Sequence, residues 1–428
     1  MEYAPALLMF VLFLLDIPIA FGMAIAALAF FLVADGLPLR LFVQKLVQAS
    51  ESFPLLAVPF FICAGSIMNR AGITRRLLNL ADALVGHTLG GIAQANVVLA
   101  TLMGGLSASA NADAAMQAKM LGTEMVRRGY APGYAAAVTA CAAVITPIIP
   151  PGIGLIIYGY LADVSVGRLF IGGVVPGLML CAALMVAVRW SAGRRGYQPS
   201  RERRATLREL GVALRDSVGA LSIIAFILFG IRYGVFTPTE AGAMTVVYAS
   251  LVGAFWHREL KWSAVPLIIR ETVLATSAVM IIICAASAFG FYLSWERIPA
   301  RAAAALVALT QQPWLLLLLI NVGLVALGML LEGTAALILL TPILVPAVVK
   351  VGIDPLHFGL VLVVNLTIGG VTPPVGTMMF TTCSILRVRI ETFVAEGWPF
   401  LLALFAVLGL ISAFPQLVLW LPTRLMGP

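Results

Sequence analysis

Apolar residues run along this chain in blocks of roughly 20, enough at about 1.5 Å per residue to cross the hydrocarbon of a bilayer as helix. Read this way, the sequence predicts membrane spans near 4–34, 53–70, 132–163, 168–190, 217–234, 239–257, 266–294, 355–386 and 396–421. Two regions, 92–128 and 314–350, resist the pattern because polar tips interrupt them: "GGLSASANAD" from Gly104, and "LLEGTAA" around Glu332. The apolar arm before Gly104 is about 12 residues, roughly 18 Å of helix, too short for a core of about 30 Å. Both regions are therefore predicted to be re-entrant hairpins. Lipid cannot satisfy free N–H and C=O groups, so irregular backbone at this depth is expected only where protein buries it or water reaches it. The polar tips read as sites and not as lipid-facing surface.

The one long polar stretch, 191–216, carries seven Arg, and the positive-inside bias places it in the cytoplasm. Counting crossings outward puts Arg70, Arg75, Arg76, Arg127, Arg128, Arg258, Lys261, Arg387 and Arg389 on the same side. That parity holds when each hairpin makes no net crossing. Aligned with itself at an offset of 223 residues, the chain brings "GYAPGYAAAVTACAAVITPIIPP" from Gly129 over "GIDPLHFGLVLVVNLTIGGVTPP" from Gly352, and Ser109 over Glu332. The copies are separated by an odd number of crossings and so run in opposite directions. Inverted repeats with paired, interrupted helices point to a secondary transporter whose site lies at the repeat interface.

Chemistry gathers at the interruptions. At "ITPIIPPGIG" and "GGVTPPVGT" successive prolines remove donors and clash with the preceding turn, freeing carbonyls within the membrane. Those carbonyls and the Thr146 and Thr372 hydroxyls are hard oxygen ligands suited to Na⁺, while half-helix N-termini offer positive dipole ends to an anion. Ser107, Ser109 and Asn111 add polar groups to the first tip, where the plainer reading is small-residue helix packing. Glu332 is an acid within the membrane and a functional hypothesis by default: a cation ligand, a substrate contact or a proton carrier. The plainer reading is a carboxylate bonded to free hairpin amides. Asp113 is read as a cap on the returning arm, Asp16 as interfacial, and His87, His257 and His357 as interface residues at span ends. "TPTE" at Thr237–Glu240 has the layout of a capping box and is a structural device.

Composition agrees with the membrane reading: 61% hydrophobic and 11% charged residues over 428 positions, with mean hydropathy +1.05. The formal charge of +8 follows from cationic cytoplasmic loops, so nucleic acid is not implied. Cys63, Cys141, Cys181, Cys284 and Cys383 stand singly in apolar segments and suggest neither disulfides nor a metal site. The first apolar block lacks the basic n-region and cleavage site of a signal peptide and is expected to stay as a helix. An intramembrane enzyme would need a nucleophile and base at membrane depth; Ser107 and Ser109 have no such partner in the sequence, so no enzyme is expected. Paired occluding hairpins likewise argue against a passive channel.

Taken together, "FPLLAVPFFICAGSIMNRAGITRRL", "LVGHTLGGIAQANVVLATLMGGLSASANADAA", "ITPIIPPGIGLIIYG", "YGVFTPTEAGA" and "GGVTPPVG" resemble, in family order along the whole chain, the large membrane subunit of the tripartite ATP-independent periplasmic (TRAP) transporters. The resemblance implies an all-α, multi-pass protein of the bacterial inner membrane, an elevator driven by Na⁺ and without another cofactor. It implies two partners besides lipid: a small four-helix membrane subunit and a soluble periplasmic binding protein that delivers a small organic anion such as a C4-dicarboxylate, keto acid, sugar acid or sialic acid. Carried over by position, one sodium site falls on Gly105, Ser107, Ser109, Ile145 and Thr146, and the other on Glu332, Gly333, Thr334, Gly369, Gly370 and Thr372. Substrate would lie between the tips, near Ser107, Ser109, Asn111, Pro151, Gly152, Glu332 and Pro374. Two positions depart from the family pattern: Glu332 stands where Asp is more usual, and Ala-Asn replaces Ala-Val before Ala-Asp.

The expected organisation is an N-terminal scaffold helix and amphipathic segment (1–51), a first transport repeat (52–166), scaffold helices with the Arg-rich linker (167–265), a second transport repeat (266–390) and a C-terminal scaffold helix (391–428). Proton coupling through Glu332 is the alternative to Na⁺.

Overall fold

The computed structural model of the chain describes residues 2–34, 36–104 and 109–427, and among them every regular element is helical. The first apolar block is two helices, which corrects the single span expected over 4–34. α1 (Ala4–Leu14) stops before Asp16, which turns with φ 62°, and α2 (Ile19–Val33) starts after Pro18. Pro18 lacks an N–H and pushes Ile17 out of helical conformation; α2 then packs against α1, with Gly22 facing the ring of Phe13.

After α3 (Leu39–Ser50), the amphipathic segment, the chain continues through α4 (Ala57–Arg70), α5 (Ile73–Val85), α6 (Gly91–Leu102), α7 (Ala110–Gln117), a π turn at Ala118–Gly122, α8 (Thr123–Arg127), α9 (Pro132–Ala143), α10 (Ile153–Leu161) and α11 (Val166–Arg195). The polar linker is shorter than its composition suggests. α11 runs into it as far as Arg195, and α12 (Leu207–Arg232) begins inside it with a reciprocal capping box between Thr206 and Glu209.

α13 (Pro238–Leu251) opens on the expected capping box of Thr237 and Glu240 with Pro238 at its first position. α14 (Val265–Trp295), α15 (Ile298–Leu309), α16 (Pro313–Leu330), α17 (Gly333–Lys350), α18 (Pro355–Gly369) and α19 (Thr377–Leu386) follow. The span expected over 396–421 is also divided: α20 (Ile390–Ala413) and α21 (Gln416–Met426) part at Phe414–Pro415. Neither α5 nor α15 was expected as a helix. Both are 12 to 13 residues long, too short at about 1.5 Å per residue to read as a span.

The two halves repeat element by element at the offset of 223 residues that relates Gly129 to Gly352, both with φ 86°. α6 corresponds to α16, α7 through α8 to α17, α9 to α18 and α10 to α19. Their opposite direction follows from two contacts. The Ala131 N–H, at the start of α9, donates to the Tyr197 hydroxyl on the face that carries the linker. Tyr158, near the end of α10, donates to the Pro355 carbonyl at the start of α18. α9 with α10 crosses the molecule, so α18 starts on the face opposite to its counterpart.

Ion pairs tie the linker face together: Arg70 with Glu271, Arg76 with Glu259, Arg195 with Glu396 and Arg201 with Asp82. Arg70 and Arg76, two of the cations assigned to this side by parity, take part in these pairs. α9, α10 and α18 form the centre, almost wholly buried, while much of α12 and α14 is apolar and exposed. Seven helices among the described residues are long and apolar enough to cross a membrane.

His357 corrects the interface reading. It lies in the first turn of α18, is buried, and pairs its Nε2 with the Ile411 carbonyl at 2.8 Å.

Candidate functional site at the paired helix breaks

Both broken helices leave the helical ladder in the same way. After α9, the amides of Ile145 and Thr146 reach the carbonyls three residues back, Ala142 and Ala143. After α18, Val371 and Thr372 do the same with Ile368 and Gly369. Each break then contains a cis Pro-Pro peptide, Pro150–Pro151 and Pro373–Pro374. Gly152 and Gly376 close the breaks where there is no room for a side chain, against the carbonyl oxygens of Pro147 and of Gly370 and Thr372 respectively. Thr146 and Thr372 are buried, and their hydroxyls donate to Ala143 at 3.0 Å and Ile368 at 2.7 Å. Each hydroxyl oxygen keeps its acceptor capacity.

The second tip is brought to the second break. α16 and α18 touch backbone to backbone at Gly328 and Gly369, and Gly333 lies beside the Leu366 carbonyl. Glu332 is the N-cap of α17: one carboxylate oxygen accepts from the Ala335 amide at 3.0 Å and the other from the Thr334 hydroxyl at 3.0 Å. Glu332, Gly333 and Thr334 thus stand on the tip, and Gly369, Gly370 and Thr372 on the adjoining break.

The first tip follows the same plan as far as it is described. Gly104 rests against Ile149 of the first break. Ser109 is the N-cap of α7, its hydroxyl accepting from the Ala112 amide, at the position that the offset relates to Glu332. This corrects the assignment of the cap to Asp113, which lies buried one turn further on. Gly105 and Ser107 lie outside the described residues. Asn111 is half-buried with its Oδ1 unpaired among the described residues; Ile145, Pro151 and Gly152 are buried, and Pro374 is exposed.

Four helices therefore begin at tips or breaks: α7, α10, α17 and α19. They pack as two pairs that each join the halves, α7 with α19 and α10 with α17. α7 and α19 both run toward the linker face, and α10 and α17 both run away from it. Their N-cap residues are buried at Gly152 and Gly376 and exposed at Ser109 and Glu332, and each start carries the positive end of its helix dipole.

Sequence reasoning missed a set of buried amides that fasten hairpins to broken helices. Asn96 of α6 donates to Thr139 of α9 at 2.9 Å. Asn365 of α18 donates to both the carbonyl and the side-chain oxygen of Asn321 in α16, which donates in turn to Ser412 of α20. An Asn inside an apolar run was the available signal, because a polar group there needs a partner.

Among protein families, the model of the DctM component of the tripartite ATP-independent periplasmic transporters matches residues 6–417. The chain belongs to this family. It is 36% identical over 410 residues to the sialic acid TRAP transporter large permease protein SiaM of Vibrio cholerae, covering 96% of each chain. It is 38% identical over 409 residues to the isethionate TRAP transporter permease protein DctMQ of Oleidesulfovibrio alaskensis, where the match takes in 95% of this chain and 64% of the longer relative. The YdaH transporter of Alcanivorax borkumensis shares the fold, with a TM-score of 0.65 at 17% identity, over 92% of this chain and 91% of that one. The chain is thus a multi-pass TRAP large permease subunit, a transporter component and not an enzyme.

Proposed function

We propose that this TRAP permease imports a small organic anion across the bacterial inner membrane, driven by Na⁺. The observation that carries the reading is the set of four helix N-termini that open at the tips and breaks of two inverted halves and pair across them, an arrangement that favours negative charge. The relatives named for sialic acid and isethionate handle a carboxylate and a sulfonate, which fits the same electrostatics. Na⁺ is assigned to two places. One is built on Ile145 and Thr146 with the tip from Gly105 to Ser109; the other on Glu332, Gly333, Thr334, Gly369, Gly370 and Thr372. Both consist of hard oxygen donors beside interrupted backbone. Substrate lies between the tips, toward Asn111, Pro151, Gly152 and Pro374.

The hairpins and broken helices form the moving unit of an elevator, and the exposed apolar faces of the flanking helices carry the scaffold and the contact with a small membrane subunit. A soluble periplasmic binding protein delivers the substrate. Ion binding neutralises Glu332 and fills the break, so the loaded unit crosses the bilayer at lower electrostatic cost than the empty one.

The test is uptake into proteoliposomes that hold this subunit and its small partner, with the binding protein outside. Uptake that requires an inward Na⁺ gradient and falls at least tenfold in Thr372→Ala supports the proposal. Uptake driven equally well by a proton gradient without Na⁺, and abolished in Glu332→Gln, replaces it with proton coupling.

A further inference from the structure

α19 starts just beyond the second break and ends at Arg387 on the linker face after 10 residues, about 15 Å of helix. There, α19 and the start of α20 border an open surface cavity of about 600 Å³ lined by Phe380, Cys383, Ser384, Arg387, Arg389 and Glu391. Phe380, Ser384 and both arginines are exposed. Arg387 caps α19 with φ 54°, in the left-handed region that favours glycine, so a long cationic side chain is held where the backbone asks for none. Neither arginine is ion-paired among the described residues. Glu391, the one acid on the lining, lies in the first turn of α20, where the helix dipole accommodates it. Lys119, on the π turn that packs against α19, is also exposed and unpaired.

The fold repeats here but the charge does not. At the offset of 223 residues that relates Gly129 to Gly352, Arg387, Arg389 and Lys119 correspond to Val164, Val166 and Pro342. The matching end of α10, on the opposite face, therefore carries no cation at those positions, and its nearest one, Arg168, stands where the second half has Glu391. The positive-inside bias accounts for cations anywhere on the linker face. It does not account for two unpaired guanidinium groups on the wall of a cavity at the end of the helix that leads away from the break.

We propose that this cavity is a carboxylate-binding way station on the linker side, which engages the organic anion after it leaves the tips and before it is released. Resting on the importer reading above, it adds a second, inner contact for the same ligand class. The planar fork of arginine matches a carboxylate through two parallel hydrogen bonds. A lipid phosphate offers similar oxygens, so the experiment separates the two sources.

Ser384→Cys is introduced into the full-length protein with Cys383→Ser, reconstituted in phosphatidylcholine nanodiscs and modified with an anionic sulfonatoethyl or a cationic trimethylammonioethyl methanethiosulfonate. The anionic reagent is expected to react severalfold faster, succinate to slow it severalfold, and both effects to vanish when Arg387→Gln and Arg389→Gln are added. The proposal is overturned if the reagent preference and the succinate effect survive loss of the arginines, or if succinate gives no protection when they are present. It is also overturned if phosphatidylglycerol alone protects the thiol and succinate does not displace it, since the site is then a lipid headgroup site. Protection is read without transport, so failure of the importer reading registers separately, as absent uptake of any organic anion.

Discussion

Gly369 sets how closely the second hairpin approaches the second break. A Cβ added there would lie 2.7 Å from both Cα and the carbonyl carbon of Gly328, whereas one added at Gly328 would lie 3.2 Å from Gly369 Cα. Carbon atoms pack at about 3.5–4.0 Å. Gly369→Ala therefore forces two backbones apart by roughly 1 Å, and neither can rotate out of the way; Gly328→Ala asks for about half that. Overpacking costs about 1–3 kcal/mol, which places Gly369→Ala near about 3 and Gly328→Ala near about 1. The difference of about 2 kcal/mol is worth roughly a factor of 30 in an equilibrium constant. Thermal unfolding of the two purified variants should show the larger loss for Gly369→Ala. Its Na⁺ response should weaken too, because the α16–α18 spacing decides where Glu332 stands relative to Thr372. A Gly369→Ala protein as stable as the parent, or more stable than Gly328→Ala, would refute the close approach on which the site is built.

Other expectations rest on separate contacts. Asn365→Ala removes two hydrogen bonds to Asn321 and leaves buried polar groups unpaired, at a cost of about 1–3 kcal/mol, read as a lower unfolding midpoint; Asn365→Asp should not restore it. Asp82→Ala removes the α5 carboxylate to which Ser200 and Arg201 of the linker donate at 2.6 and 2.7 Å, and trypsin should cut between 201 and 204 severalfold faster with the helical core intact. Thr237→Ala opens the α13 capping box and should lower stability by about 1 kcal/mol. At the N-terminus, hydrogen bonding and charge from Arg301 hold the Glu2 carboxyl below its ordinary range. Because the folded value is depressed, this tether is fully present above the unfolded value of about 4.3 and is lost only as pH falls through the folded one. Protection of residues 2–14 in hydrogen exchange should therefore persist at pH 5 and be weaker there in Glu2→Gln, the difference closing as the parent's Glu2 is protonated.

The sequence made the repeat legible because its marks are covalent. The Pro-Pro pairs, Gly129 with Gly352, and Thr237-Pro238 with Glu240 dictate local backbone whatever surrounds them. The offset they define carries through α6 to α10 and α16 to α19, and the shortness of the arm before Gly104 is matched by the 12 residues of α6. What escaped depends on packing. The turn at Asp16–Pro18 and the break at Pro415 vanish in a hydropathy average over 20 or more residues, although each proline signals one. α5 and α15 are too short to register, and His357 reads as interfacial until Ile411 is seen to cover it. Ser109, and not Asp113, caps α7 because the helix begins a full turn before its first acid. The amide contacts Asn96–Thr139 and Asn321–Asn365 join residues 43 and 44 positions apart, a pairing that periodicity along one helix cannot reveal.

The central claim is that the broken helix at Thr372 and the tip at Glu332 together hold a Na⁺ ion. Its most direct test is thermal unfolding of the purified permease in NaCl against KCl and choline chloride at equal ionic strength. A ligand of the native state present at 100 times its Kd adds about 2.7 kcal/mol by mass action. The account predicts a rise in the midpoint with Na⁺ alone, saturating with concentration and lost in Thr372→Ala while the choline midpoint stays where it was. Equal midpoints in all three salts, or a Na⁺ shift that Thr372→Ala leaves untouched, would contradict it.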